Sequence, residues 1–195
     1  MKEADRIYAE LVEDMKKEVP YDAQVFFNLF KTEYLLRKGE IAGAKRLNDM
    51  LFLDKYSEII QYNMLLLYEH RFRILLTDKD YEGIEKLYNS RVTQKQLDKI
   101  LEHKRINLIP EFIHAISMWH LDVTQQEKTI EKLLGMIESN LDEPFFRKYR
   151  MLKDGIGFVL EHLPRLKVVN KKRFQEYDMQ IRGVMDGAAL NVEGG

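Results

Sequence analysis

The sequence has no cysteine and almost no net charge, and each of these shortages excludes a class of protein. It also has only 4 prolines, which favours helix. Without cysteine there is no disulfide, no thiolate zinc site and no cysteine nucleophile, which is compatible with a reducing compartment. Lys and Arg number 31 against 32 Asp and Glu, so the formal net charge is −1. No global field therefore draws the chain to nucleic acid or to an anionic membrane.

Long hydrophobic runs are also missing. No apolar stretch approaches the ~20 residues that a membrane-spanning helix needs, and the first five residues, Met1 to Asp5, are mostly polar. We therefore expect neither a secretory signal nor an anchor. A composition of 45% hydrophobic and 32% charged residues is typical of a globular protein. The sequence predicts a cytoplasmic protein with no membrane partner.

What the sequence does contain is a pattern that occurs twice. Residues 35–47 recur in pattern at residues 75–87, forty residues later. In each copy a leucine pair ends one amphipathic helix, a short polar turn follows, and apolar residues resume at helical spacing. Self-similarity at a fixed period is typical of stacked helical hairpins. The pattern predicts an all-α, right-handed array of antiparallel helical hairpins over residues 1–186, followed by a flexible C-terminal tail over 187–195.

Both copies of the pattern contain glycine. Gly39 suits the left-handed conformation that ends a helix, and Glu40 or Asp80 places a carboxylate at the positive end of the next helix. Gly43 and Gly83 lie inside the second helix of each copy, where glycine costs about 1 kcal/mol relative to alanine. We expect close approach of neighbouring helices to offset that cost.

The repeated pattern resembles the tetratricopeptide repeat. In that family a leucine–glycine turn and then acidic, aliphatic and small residues join two helices, as Gly39-Glu40-Ile41 and Ala44 do here. The likeness is loose: the family's tryptophan and glycine are replaced by Asn28 and Thr32 in the first copy, and by Tyr68 and Phe72 in the second. The period of forty exceeds the family's usual ~34, and the proline that usually follows the second helix is absent.

The resemblance implies a non-enzymatic module that holds a protein or a peptide in a concave groove lined by the first helix of each hairpin. Carried over by spacing from the turn, the candidate partner-binding residues are Leu29, Glu33 and Arg37 in the first copy, and Glu69, Arg73 and Thr77 in the second. Their mixed charge suits a peptide-binding surface. The alternative interpretation is a solvated helix face, and a homodimer is equally compatible with the sequence.

Periodicity and capping signals also predict where helices begin and end. The expected helices cover residues 3–18, 22–38, 40–53, 59–76 and 80–89 in the first half, and 145–163 and 171–185 near the end. Between these groups, one capping box at Thr93 to Gln96 and another at Thr124 to Glu127 each begin a helix. Pro110 begins or kinks a third.

No set of residues in the sequence has the spacing of a known catalytic or ligand-binding motif. Its histidines are scattered, and Gly155-Ile156-Gly157 stands inside a helical pattern rather than in a phosphate-binding loop. We expect no metal site, no cofactor and no catalytic centre. The five histidines are His70, His103, His114, His120 and His162.

A basic stretch provides the competing function. Residues Arg165 to Arg173 include five bases and no acid, a composition that contacts phosphates in nucleic-acid-binding proteins or an acidic partner elsewhere. More often such a run is a solvated linker. Nucleic-acid binding through Arg165–Arg173 is therefore the alternative to peptide binding.

Overall fold

The computed structural model describes residues 2–54, 60, 63–90, 108–141 and 146–192. Across these ranges the chain is helical apart from short turns and contains no strand, which confirms the all-α prediction. The helices are α1 Lys2–Asp14, α2 Tyr21–Lys38, α3 Ile41–Leu53, α4 Met64–Thr77, α5 Tyr81–Tyr88, α6 Ile109–Leu121, α7 Gln126–Leu141, α8 Phe146–His162 and α9 Val168–Val192. None of these described helices is both long and apolar enough to cross a membrane.

The predicted limits of four helices, α2, α3, α5 and α8, lie within one residue of the observed ends. The limits were wrong for α1, which ends at Asp14 rather than near Glu18, and for α9, which spans Val168–Val192 rather than 171–185. The predicted capping box at 93–96 lies outside the described residues. At the other box, the Asp122 carboxylate accepts hydrogen bonds from the backbone N–H and the hydroxyl of Thr124, so Asp122 caps the short 3₁₀ turn Val123–Gln125 that precedes α7.

The chain divides into two compact units, residues 1–78 and 79–195. In the first, α2, α3 and α4 pack on one another. The α1 helix lies against α2, because Tyr8 stacks on Tyr34 with ring centroids 4.0 Å apart and Asp5 bonds both the Tyr34 hydroxyl and Lys38. Buried side chains of the three packed helices include Val25, Leu29, Leu35, Ala44, Leu51 and Leu67.

The second unit is organised around α6. This helix packs against α5, α7 and α8, while α9 packs along α8. Aliphatic and aromatic side chains fill its interior, and a close contact is made where Gly155 of α8 faces the buried Phe112 ring of α6. Its fully buried residues include Ile84, Phe112, Ile113, Ile116, Leu133, Ile137, Leu152, Ile156, Val159, Phe174 and Ile181.

The turns of the two copies have the same backbone conformation. Gly39 has φ +76°, as its left-handed role predicts, and Lys79 at the equivalent position has φ +56°. Both are followed by N-cap residues with nearly equal angles: φ −83° and ψ 61° at Glu40, φ −82° and ψ 73° at Asp80. A lysine in this region is strained by about 1 kcal/mol, so the local geometry of the turn persists without glycine.

The helix-interior glycines of the two copies face different neighbouring atoms. A Cβ on Gly43 would lie 3.2 Å from Leu35 Cδ1 of α2, which agrees with the expected close approach of helices. A Cβ on Gly83 would instead lie 2.4 Å from the Asp80 carboxylate, which accepts the Gly83 N–H at 2.9 Å. Gly83 therefore leaves room for the N-cap carboxylate of α5, and the atoms nearest to it belong to Asp80 rather than to a neighbouring helix.

This difference predicts a coupling between the cap and the glycine. We expect Asp80→Ala to lower the free energy of unfolding by about 1 kcal/mol, because an N-cap hydrogen bond is lost. In a Gly83→Ala background the same change should cost little, since the added methyl group has already displaced the carboxylate. Urea denaturation of the two single variants and the double variant measures the coupling, and additive effects would contradict this explanation.

Candidate functional site

Four of the six predicted partner-binding residues converge between α2 and α4. Glu33 and Arg37 project from α2, and Glu69 and Arg73 project from α4. Each pair is spaced by four residues on its helix, so its members are neighbours on one face. The sequence analysis selected them only by their distance from the turn, yet they lie in a single charged network together with His70, which it did not select.

Glu33 is at the centre of this network. Its Oε1 atom accepts from Arg37 Nε at 2.5 Å and lies 3.5 Å from Arg73 Nη1, while its Oε2 atom lies 3.3 Å from Nε2 of the buried His70. Arg73 Nη2 also donates to Glu69 Oε1 at 2.7 Å. The network therefore links two helices that pack in the first unit.

The network changes the protonation of its central carboxylate. Burial alone would raise the pKa of Glu33, but the interaction with His70 and the positive charges of Arg73 and Arg37 oppose it and hold the pKa well below its usual range. Glu33 is therefore charged at neutral pH. A charged, anchored Glu33 orients the Arg37 guanidinium, which is partly exposed at the rim of the network.

The remaining two candidates have different surroundings. Leu29 is buried with the core of the first unit and offers no surface to a partner. Thr77 is exposed at the end of α4, and its hydroxyl donates to the Arg73 carbonyl oxygen at 2.9 Å. Glu69 and Arg73 are themselves nearly buried. The surface accessible to a partner is therefore formed by Arg37, Thr77 and the exposed part of Glu33.

Two aromatic residues extend this surface along α2. Phe26 is 51% exposed and Phe30 is 39% exposed. Positions 26, 30, 33 and 37 follow helical spacing and form one stripe on the helix. We call Phe26, Phe30, Glu33 and Arg37 the α2 stripe. It combines large apolar side chains with an anchored charge pair.

The sequence alone could not select this stripe. Apolar residues cover α2 so widely that its pattern does not reveal which aromatic faces solvent. Phe27 stacks toward Tyr8 of α1 with ring centroids 6.3 Å apart, whereas the neighbouring Phe26 points away and is exposed. The available signal was the spacing of Phe26 and Phe30 from Glu33 and Arg37 on one helix face.

The basic stretch 165–173 forms the turn after α8 and the start of α9. Three of its five bases pair with carboxylates: Lys167 lies 3.2 Å from Glu127, Lys172 lies 3.8 Å from Glu176, and Arg173 pairs with Glu138. Arg165 and Lys171 have no ion-pair partner among the described residues. These pairs reduce the positive field of the stretch, and its binding to nucleic acid stays a prediction.

A second polar cluster joins α5, α6 and α7 in the second unit. His114 Nε2 lies 2.8 Å from Glu85, and the His114 ring stacks on Tyr88 with centroids 3.7 Å apart. The Tyr88 hydroxyl donates to Glu111, which also pairs with Lys132. Burial is the main cause of the lowered His114 pKa and of the raised Tyr88 pKa. These contacts link the three helices to one another.

Within the parts of the chain that the structure describes, no group of three His, Asp or Glu side chains is arranged to hold a metal ion. Comparison with family models, with curated proteins and with solved structures finds no match to the chain. The class that the structure establishes is an all-helical protein.

Proposed function

We propose that the protein is a non-enzymatic protein- or peptide-binding module of tetratricopeptide-like helical hairpins, and that the α2 stripe is its principal contact surface. The observation that carries the proposal is the exposure of Phe26 and Phe30 in line with the anchored Glu33–Arg37 pair. Exposed apolar patches that are bordered by polar residues often mark interaction sites on monomeric proteins. Aromatic and arginine side chains also dominate the energetics of protein interfaces.

The arrangement of charges supports the same surface. A binding face needs side chains that are already ordered, because ordering them on association costs about 0.5 to 1.5 kcal/mol each. Glu33 orders Arg37 through the 2.5 Å hydrogen bond, and contacts with His70 and Arg73 fix the position of Glu33 itself. A partner therefore meets a preorganised guanidinium next to two phenylalanine rings.

The likeness of the two turns supports the repeat part of the proposal. Left-handed residues at positions 39 and 79, followed by N-cap residues of equal conformation, are what two copies of one helical-hairpin turn require. In such arrays the first helices of successive hairpins line the binding face. Here α2 and α4 are those first helices, and they carry the network described above.

The expected occupant is a protein segment with apolar side chains that cover Phe26 and Phe30. Phe30 and Arg37 are seven positions apart, which is about 10 Å along a helix. A partner that places a carboxylate or a carbonyl oxygen at that distance from its apolar contacts would pair with Arg37. Such a segment satisfies both the apolar and the charged part of the stripe.

The test is affinity capture from a nuclease-treated lysate of the producing cell, with bound proteins quantified by mass spectrometry. The variant Phe26→Ser/Phe30→Ser removes the apolar part of the stripe and leaves the charged network in place. We expect it to reduce retention of the partner at least about tenfold, because truncating two interface aromatics costs more than about 1.4 kcal/mol.

A matched control is available in the same unit. Tyr21→Ser/Met50→Ser removes two comparably exposed apolar side chains away from the stripe, and it should leave retention unchanged. Circular dichroism verifies that both variants keep the parent's helicity. If every captured protein is retained equally by the parent and by the stripe variant, the α2 stripe is not the binding surface.

A further inference from the structure

A second exposed apolar surface lies at one end of the second unit. Four aliphatic side chains are exposed there: Leu121 at the end of α6, Val123 in the connection to α7, and Val168 and Val169 at the start of α9. Val168 is 83% exposed and Val169 is 76% exposed. Leu163 and Leu166, in the turn before α9, are buried. The turn is therefore already anchored in the core without the two valines.

Two polar contacts join the connections that carry these side chains. His120 Nε2 lies 2.9 Å from the His162 carbonyl oxygen, and Lys167 Nζ lies 3.2 Å from Glu127 Oε1. The end of α6 and the start of α7 therefore lie beside the end of α8 and the start of α9. We call Leu121, Val123, Val168 and Val169, together with the bases that follow Leu163, the end surface.

Bases outnumber acids around the apolar residues of the end surface, although Asp122 lies between Leu121 and Val123 and Glu127 pairs with Lys167. The chain from Arg165 to Arg173 contains no acid, and Arg165 and Lys171 lack ion-pair partners among the described residues. Lys167, the base nearest the valines, has a side chain that is largely exposed even though it pairs with Glu127. The amino-terminal ends of α7 and α9 are also here, and they add the positive ends of two helix dipoles.

We infer that the end surface docks an acidic protein segment that carries aliphatic side chains. The basic residues attract carboxylates, and burying each aliphatic side chain contributes roughly 1.5 kcal/mol or more to association. Nucleic acid would satisfy the charges but would cover the valines less well, because its charged sugar–phosphate backbone offers little aliphatic surface. This surface lies on a different unit from the α2 stripe, so the inference does not depend on the proposed function.

The probe is a synthetic fluorescent peptide that alternates leucine and glutamate, titrated with the full chain and followed by anisotropy. Two matched peptides replace leucine with serine or glutamate with lysine, and a single-stranded oligonucleotide represents nucleic acid. We expect the leucine–glutamate peptide to bind at least about tenfold more tightly than either matched peptide. Its binding should weaken with added salt, because part of it is electrostatic.

Variants assign the binding to the end surface. Val168→Ser/Val169→Ser should weaken the leucine–glutamate peptide about tenfold, and Arg165→Ala/Lys171→Ala should reduce the dependence on salt. The control Met179→Ser/Val184→Ser removes exposed apolar residues farther along the same helix and should change neither property. Binding of the three peptides with equal affinity, or no binding of the leucine–glutamate peptide, would overturn the inference. So would tighter binding of the oligonucleotide that the valine variant does not affect.

Discussion

Replacing Gly155 with alanine is expected to lower the free energy of unfolding by about 2 to 3 kcal/mol. The new Cβ would lie 2.4 Å from Cδ2 of Phe112, and the Phe112 ring is fully buried between helices. Either α8 or the ring must move, and the gain in helix propensity of about 1 kcal/mol does not offset that strain. Urea denaturation, followed by the fluorescence of Trp119, measures the loss of stability. Trp119 is the single tryptophan and lies in the same helix as Phe112.

The matched control is two residues away on the same helix. Gly157 is exposed, and a Cβ there would have no described heavy atom within 4 Å. Gly157→Ala should therefore stabilise the protein by up to about 1 kcal/mol. In the Gly155→Ala background, Phe112→Leu should restore part of the lost stability by removing the ring. Equal effects of the two alanine substitutions would show that α6 and α8 do not approach closely at Gly155.

Replacing Glu33 with glutamine is expected to destabilise the first unit by about 2 to 3 kcal/mol. The change removes the negative charge that His70, Arg37 and Arg73 surround, and it leaves the nearly buried Arg73 guanidinium with less compensation. Breaking a buried ion pair by removing one partner typically costs about 3 to 5 kcal/mol, and the partial exposure of Glu33 reduces that figure. Hydrogen–deuterium exchange of the α2 and α4 amides, combined with urea denaturation, measures the effect.

The same substitution should alter the dependence of stability on pH. The pKa of Glu33 is lower in the folded chain than its ordinary value of 4.5. Above that value both states are ionised, so the stabilising contribution is complete. As the pH falls below it, the unfolded chain takes up the proton first and the contribution is progressively lost. The difference in stability between the parent and Glu33→Gln should therefore shrink below about pH 4.5.

An exposed ion pair supplies the control for this prediction. Glu10 pairs with Arg6 on α1 at the same four-residue spacing, and both side chains are mostly in solvent. Glu10→Gln should change stability by less than about 0.5 kcal/mol, because solvent screens such pairs. A Glu33→Gln variant that is no less stable than the Glu10→Gln variant would contradict a structural role for the network.

Local physical chemistry explains which parts of the fold the sequence could predict. The α2–turn–α3 segment follows from helical periodicity and from Gly39, whose left-handed backbone requires only the interactions of adjacent residues. The limits of α1 and α9 were less accurate, because their predicted ends depended on weaker signals than a glycine cap. The confirmed all-α class rests on the same short-range regularities.

Sequence spacing predicted only part of the candidate site. Spacing from the turn selected Glu33, Arg37, Glu69 and Arg73, and the structure brings those four together. The same rule also selected Leu29, which is buried, and it missed Phe26 and Phe30, which are exposed. A helix with apolar residues on most of its circumference does not specify which side its neighbours cover.

The sequence by itself determined that this chain is helical, because helix formation depends on periodicity, propensity and caps within a few residues. Only the tertiary structure decided that Gly83 belongs to an N-cap and Gly155 to a helix contact, and that Val168 and Val169 face solvent. Those outcomes depend on which distant side chains occupy the space beside each residue. Packing between helices decides which side chains those are, and the sequence of a single helix does not reveal them.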